Sequence, residues 1–276
     1  MRDFLKHLNK YLFLFFLLLA ATAQAEPLRV SGTGAAISTI KRIGEIYRQS
    51  HPELSFQFLL PPMGSSGAIK ALTTDQLDLA LTGRPLKKEE QEAGLIQEWV
   101  GHSPFVFVVH QDSPATHITQ AQLADFYAGR QNSWPDGSRV RTILRPLADA
   151  DTTLLKSISP AMREAVEQAH ARRQPGSALA ETDLDLANMV EKVPGGLGGV
   201  ALTLILAEQR PLKGLILDGV EPTVDALDKK QYPYSKPLYL VLRQESPASL
   251  RGFVTFLRST EGQALLRQNA LSVVQP

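Results

Sequence analysis

Twice near its start the chain reads as a strand, a glycine-serine turn and a helix. Leu28-Arg29-Val30 is a short β-type run that meets Ser31-Gly32-Thr33-Gly34, after which Ile37, Ile40, Ile43, Ile46 and Tyr47 recur at helical spacing. The run Leu54 to Leu60 alternates as a strand. It is followed by Gly64-Ser65-Ser66-Gly67, then by a helical stretch bearing Ile69 and Leu72, and the apolar run Leu77 to Leu81 ends at Thr82-Gly83-Arg84-Pro85. Two such units in succession predict an α/β protein built on an open, mainly parallel sheet.

The pattern restarts further on. Phe105 to Val109 reads as a buried strand, and Gln111 to Pro114 after it as a crossing into a second lobe. The spacing then predicts a short helix at Leu123 to Tyr127, a strand at Thr142 to Leu144, and helices over about 153–172 and 183–192. A loop is expected at Pro194 to Gly199, a strand at Leu215 to Leu217, and extended chain at Tyr232 to Pro237 leading into the strand Leu238 to Leu242. A last helix with Leu250, Phe253, Phe256 and Leu257 is expected to return to the first lobe.

Ahead of all this, Arg2, Lys6 and Lys10 precede an apolar run from Tyr11 to Ala21, and Ala23-Gln24-Ala25 offers small residues at a cleavage site. Residues 1–25 therefore read as a secretory signal removed after Ala25, with export to the periplasm. The apolar run is about half of the roughly 20 residues a membrane helix needs. Without that segment, 26 basic residues face 27 acidic ones, which argues against a nucleic-acid partner. The chain has no cysteine, so thiol catalysis, disulfides and a cysteine-linked lipid anchor are excluded.

Both glycine-serine turns place backbone N–H groups at a helix start, where the helix dipole makes them donors to an anion. Thr33, Ser65 and Ser66 add hydroxyls at the same sheet edge, and Arg84 stands at a third strand end. Taken singly, each turn is also what a tight turn or an N-cap requires. The stretch Gly32 to Ile37 lacks the third glycine of a dinucleotide fingerprint, and no cofactor is expected. His7, His51, His102, His110, His117 and His170 show no metal-ligand spacing, and no Gly-x-Ser-x-Gly or His-Glu-x-x-His is present. Trp99 and Trp134 read as packing residues more readily than as a stacking platform for a ligand.

Four segments together resemble the phosphate-type (PstS-like) solute-binding proteins of ABC transporters. They are Val30-Ser31-Gly32-Thr33-Gly34 with its helix to His51-Pro52; Gly64 to Leu72 continuing to Gly83-Arg84-Pro85-Leu86; Val193 to Gly198; and Asp218 to Thr223 continuing to Tyr232 to Tyr239. The resemblance implies a two-lobed type II periplasmic binding fold with a hinge of two chain crossings. Lobe one would be residues 26–110 with 236–276, and lobe two 111–235. It implies a monomeric, non-enzymatic protein that captures a small oxyanion, phosphate first, for a membrane ABC permease or receptor. By position it implicates Thr33, Gly34, Ala35, Ser65, Ser66, Arg145, Asp151 and Thr152 as ligand-binding; the turn and strand-end reading adds Gly67 and Arg84, and no metal is expected.

The sequence departs from that pattern where Ala35 replaces a hydroxyl residue, where Gly83 replaces an acid or serine, and where Asp149 and Asp151 follow Arg145. A carboxylate facing a bound dianion is costly unless paired. These acids must point away, pair with Arg145, or serve a different ligand. A second reading is thus a signalling or accessory protein with an altered or lost oxyanion site; a third is an exported hydrolase with a scattered triad.

Overall fold

The computed structural model describes residues 26–173 and 179–275, so the expected signal segment lies outside the described residues. Among the described residues there are ten strands and eleven helices. The first lobe opens with β1 (Leu28–Gly32), α1 (Gly34–Arg48), β2 (Phe56–Phe58), α2 (Gly64–Thr73), β3 (Leu79–Thr82) and the short α3 (Lys88–Glu92). A sixteen-residue strand, β4 (Leu95–His110), leads into β5 (His117–Ile118), α4 (Gln120–Ala128), β6 (Arg141–Thr142), α5 (Ala150–Ser157), α6 (Pro160–Arg172) and α7 (Asp183–Lys192). Then come β7 (Gly196–Ala201), α8 (Leu202–Glu208), β8 (Leu212–Gly214), β9 (Ile216–Leu217), α9 (Val224–Asp228), β10 (Ser235–Arg243), α10 (Ala248–Arg258) and α11 (Thr260–Gln268).

β1 lies between β2 and β3 in parallel, and β10 adds antiparallel to β3 and then to β4. β4 joins the lobes. Its first part, Leu95 to Pro104, pairs with β10, and from Phe105 to Val108 it pairs instead with β7. The sequence placed the first crossing at Gln111 to Pro114, but the change of partner falls at Pro104 and Phe105. Proline supplies no N–H for a ladder, which suits a point where one set of pairings ends. The return crossing lies beside it: the amide of Phe105 donates to the Tyr234 carbonyl (2.9 Å) and the Tyr232 hydroxyl to the Phe105 carbonyl (2.6 Å).

Each sheet is covered on both faces, and the strand period of two assigns side chains to them. Leu79 and Leu81 of β3 enter a core with Ile40, Ile43 and Phe253, while Ala80 between them faces Ile69 and Leu72 of α2. Likewise Phe105, Phe107 and Val109 face Tyr127 and Met162, whereas Val106 and Val108 face Leu186, Val190 and Leu204. The helix with Leu250, Phe253 and Leu257, here α10, does pack back on the first lobe through those residues. Trp134 is core, its ring 4.9 Å from that of Phe126.

Three sequence expectations change in detail. The helix expected over 153–172 is two helices, because Pro160 forces Ser159 into an extended conformation and restarts the helix with Ser159 as its cap. The loop expected at Pro194 to Gly199 becomes strand from Gly196, in a region too crowded for side chains. A Cβ at Gly198 would lie 2.7 Å from Leu186, and one at Gly199 would run into the Phe105 ring. Helices α8, α9 and α11 were not anticipated; α11 restarts after α10 at Ser259, whose side chain accepts from the amide of Gly262.

Phe253 is fully buried and packs edge-on against Tyr47 and Phe56, with ring centroids 5.3 Å and 5.2 Å away. Phe253→Ala should lower stability by about 3–5 kcal/mol, read as a fall in the urea midpoint of the first lobe.

Candidate functional site

Between the lobes lies a cleft of about 720 Å³ onto which four helix N-termini converge. Thr33 and Gly34 begin α1, Gly64 to Gly67 begin α2, Asp149 to Asp151 begin α5, and Thr182 and Asp183 begin α7. Each start has N–H groups without a partner inside its own helix and the positive end of a dipole. Strand–turn–helix connectivity delivers α1 and α2 here, at the carboxyl ends of β1 and in front of β3.

Of the sequence-predicted residues, Thr33, Gly34, Ser65, Ser66, Gly67, Arg84, Arg145 and Asp151 line the cleft. Ala35 and Thr152 do not. Ala35 is buried against second-lobe residues, and Thr152, also buried, donates its hydroxyl to the Arg145 carbonyl at 3.3 Å. Thr152 therefore stands behind the site, contrary to the sequence expectation that placed it on the ligand. Ser65 Oγ accepts from the Gly83 amide at 3.0 Å, tying the start of α2 to the end of β3. Gly83 leaves room, since an added Cβ would meet nothing closer than 3.7 Å. Arg84 is held by both oxygens of Glu90 at 2.8 Å and reaches Ser66 Oγ at 3.0 Å. That pair keeps the Glu90 carboxyl below its ordinary value.

The acids after Arg145 line the cleft and are paired. Arg145 Nη2 lies 2.6 Å from Asp149 Oδ2, and Arg145 Nη1 donates to the Ala180 carbonyl at 3.1 Å. Asp149 in turn caps α5 by accepting from the Asp151 amide at 2.8 Å. Asp151, only 1% exposed, meets Lys236 Nζ at 2.6 Å through Oδ1, while its Oδ2 accepts no hydrogen bond. Sequence reasoning missed Lys236 altogether. Its signal was charge balance, for two carboxylates beside one arginine in a desolvated cleft demand a second cation.

The other missed residue is Asp183. Its Oδ1 accepts from the Gly34 amide at 2.8 Å and its Oδ2 from the Ala35 amide at 3.0 Å. A second-lobe carboxylate thus spans the cleft and caps α1, and it also stands at the first position of α7, between two helix N-termini. Lys236 Nζ lies 3.6 Å from Asp183 Oδ2. Gly34 is required for this approach, because a Cβ there would overlap Asp183 and Leu184. The only sequence signal was the helix start Thr182-Asp183-Leu184-Asp185, in which Thr182 and Asp185 form a capping box.

Two cations, Arg145 and Lys236, therefore meet three carboxylates, Asp149, Asp151 and Asp183. Burial acts against the charges of Arg145, Lys236, Asp151 and Asp183. For Asp151 burial wins, and its carboxyl is raised above the ordinary value despite Lys236. For Asp183 burial is outweighed by Lys236, Arg145 and the two amides, and its carboxyl is lowered. Lys236 and Arg145, desolvated but surrounded by acids, are both held above their ordinary values.

Two α/β lobes joined by crossing strands, with helix N-termini aimed into the cleft between them, define a two-lobed binding protein. The match of residues 20–261 to the PBP superfamily domain places the chain in that superfamily, and its relatives are of the PstS-like kind. It is 22% identical over 215 residues to the phosphate-binding protein PstS of Borreliella burgdorferi, covering 74% of this chain and 75% of that one. Over 107 residues it is 27% identical to phosphate-binding protein PstS 2 of Streptococcus pneumoniae, spanning 39% of this chain and only 36% of that relative's length. The fold is shared with a chain from Clostridium perfringens assigned as a phosphate ABC transporter substrate-binding protein and solved with bound phosphate. That likeness has a TM-score of 0.72 at 20% identity and covers 91% of this chain and all of the other.

Among the described residues no helix is long and apolar enough to cross a membrane, and no group of His, Asp or Glu is arranged to hold a metal.

Asp183→Asn keeps the size and removes the charge, and its effect depends on pH in a defined direction. With a folded value below the ordinary 3.8, ionised Asp183 gives its full stabilisation above 3.8 and loses it as the pH falls from there through the folded value. Urea unfolding from about pH 7 down to about pH 3 should therefore show the wild type's advantage over the variant constant at first and then shrinking in acid.

Proposed function

We propose that the protein is an exported solute-binding component of an ABC uptake system, capturing a small oxyanion, with phosphate the first candidate, and presenting its closed form to a membrane permease. Residues 1–25 serve as the cleaved signal in this reading. The lobes are residues 26–104 with 235–275, and 105–234, bounds that follow the change of pairing along β4 and the neighbouring return crossing. The protein acts by binding and delivery, as the names of its relatives suggest, and not by turnover.

The observation that carries this reading is the convergence of helix N-termini on one cleft, with α2 lacking any side-chain cap. The anion's oxygens would accept from the first-turn amides of α2 and from the hydroxyls of Ser65 and Ser66, with Arg84 fixing Ser66. Asp151, with one oxygen accepting no hydrogen bond, suits an anion that still carries a proton. Contact with both lobes would favour the closed form.

One observation favours the second reading, a signalling or accessory protein with an altered site: the α1 amides, which an oxyanion would use, are already taken by Asp183. Calorimetric titration of the mature protein, stripped of ligand by unfolding and refolding, with phosphate, sulfate, molybdate and tungstate separates the two. One-to-one binding of phosphate, weakened about tenfold or more in Ser66→Ala, is expected, since a hydrogen bond to a charged group contributes about 1.5–3 kcal/mol. Silence toward all four anions would hand the case to the second reading.

A further inference from the structure

Resting on the oxyanion reading, the geometry points to Asp183 as an internal ligand of the anion site, a tethered competitor that any external oxyanion must displace from the α1 N-terminus before both lobes grip it. The carboxylate sits as two oxygens of a bound oxyanion would, one oxygen on the Gly34 amide and the other on the Ala35 amide, with a lysine ammonium beside it. It is 2% exposed and comes from the opposite lobe, so it closes the cleft from within.

A second observation marks the same place as a ligand site. Asp151 Oδ2 is buried on the cleft wall and accepts no hydrogen bond, Arg145 Nε standing 3.9 Å away and out of reach of one, although every other buried oxygen of Asp149, Asp151 and Asp183 has a donor. A buried acceptor left in this state is expensive unless a donor arrives. A protonated oxyanion brings one, while its other oxygens replace those of Asp183 on the amides.

The consequences are quantitative. A carboxylate held on its own chain competes at a high effective concentration, so the protein's apparent affinity falls by the fraction of molecules in which Asp183 is docked. The same contact holds the lobes together when nothing is bound. The first-lobe helix α1 is already seated on the second lobe around it, with Thr39 Oγ1 2.5 Å from Thr203 Oγ1 and Ser38 Oγ 2.5 Å from Glu208 Oε1. The site would discriminate against weak anions, which cannot outbid the internal one, and admit those that use Asp151 as well.

The test is calorimetric titration of inorganic phosphate and sulfate into the wild type, Asp183→Ala, Asp183→Asn and Glu181→Gln, each first shown folded by circular dichroism and a cooperative melt. Asp183→Ala should bind phosphate about tenfold more tightly or better. Asp183→Asn, which keeps one acceptor for an α1 amide, should fall between it and the wild type. Glu181→Gln removes the same charge from the cleft wall without uncapping α1, and should gain much less. Equal gains from Glu181→Gln and Asp183→Ala would reduce the effect to charge and overturn the internal-ligand proposal. So would unchanged or weaker phosphate binding by Asp183→Ala beside a binding wild type, a result that leaves the oxyanion reading standing. Silence from all four proteins would remove both. Should Asp183→Ala fail to fold, the ranking of Asp183→Asn above Glu181→Gln decides.

Discussion

The closed arrangement depends on one buried group of charges where the lobes meet. Lys236, at the start of the strand that returns to the first lobe, is shared between Asp151 and Asp183 of the second, and Asp183 reaches across to the first helix of the first lobe. Desolvating Arg145, Asp151, Asp183 and Lys236 is costly, and only mutual pairing, with the half-buried Asp149 included, and the amide donors offset it. Each member is therefore needed by the others. Arg145 holds Asp149, Asp149 caps α5, α5 presents Asp151, and Asp151 holds Lys236.

The scaffold makes this possible by running one strand, β4, through both lobes. β4 pairs first with β10 and then with β7, so the crossing backbone is continuous sheet, flanked by apolar residues on both faces. A stiff connection of this kind limits how the lobes move relative to each other. Close packing near it is purchased with glycines at Gly198 and Gly199, where helix α7 and the ring of Phe105 approach the backbone of β7. Because α7 starts at Asp183, that tight packing also sets where the bridging carboxylate stands.

Much of the α/β order was legible, because amphipathic periodicity and turn chemistry are local. The two glycine-serine turns, the α7 boundary and the return of α10 to the first lobe could all be read from residues close in sequence. Most of the predicted cleft residues also lie together, since turns after parallel strands gather at one edge. What could not be read was how charges pair. Asp149 and Asp151 looked like an obstacle to an anion beside Arg145. Their resolution came from Lys236, more than eighty positions away, whose role no local pattern marks.

The sequence by itself determined the class of fold and the edge of the sheet where binding groups collect, because strand and helix periods and the conformations of glycine, proline and serine act over a few residues. Only the tertiary structure decided which donors in the cleft are free and which are taken. The amides of Gly34 and Ala35 read the same in sequence whether they face solvent, an anion or Asp183, 148 to 149 residues distant. That choice is made by the packing of α7 against α1, since electrostatic pairing in a desolvated cleft is set by distance in space and not along the chain.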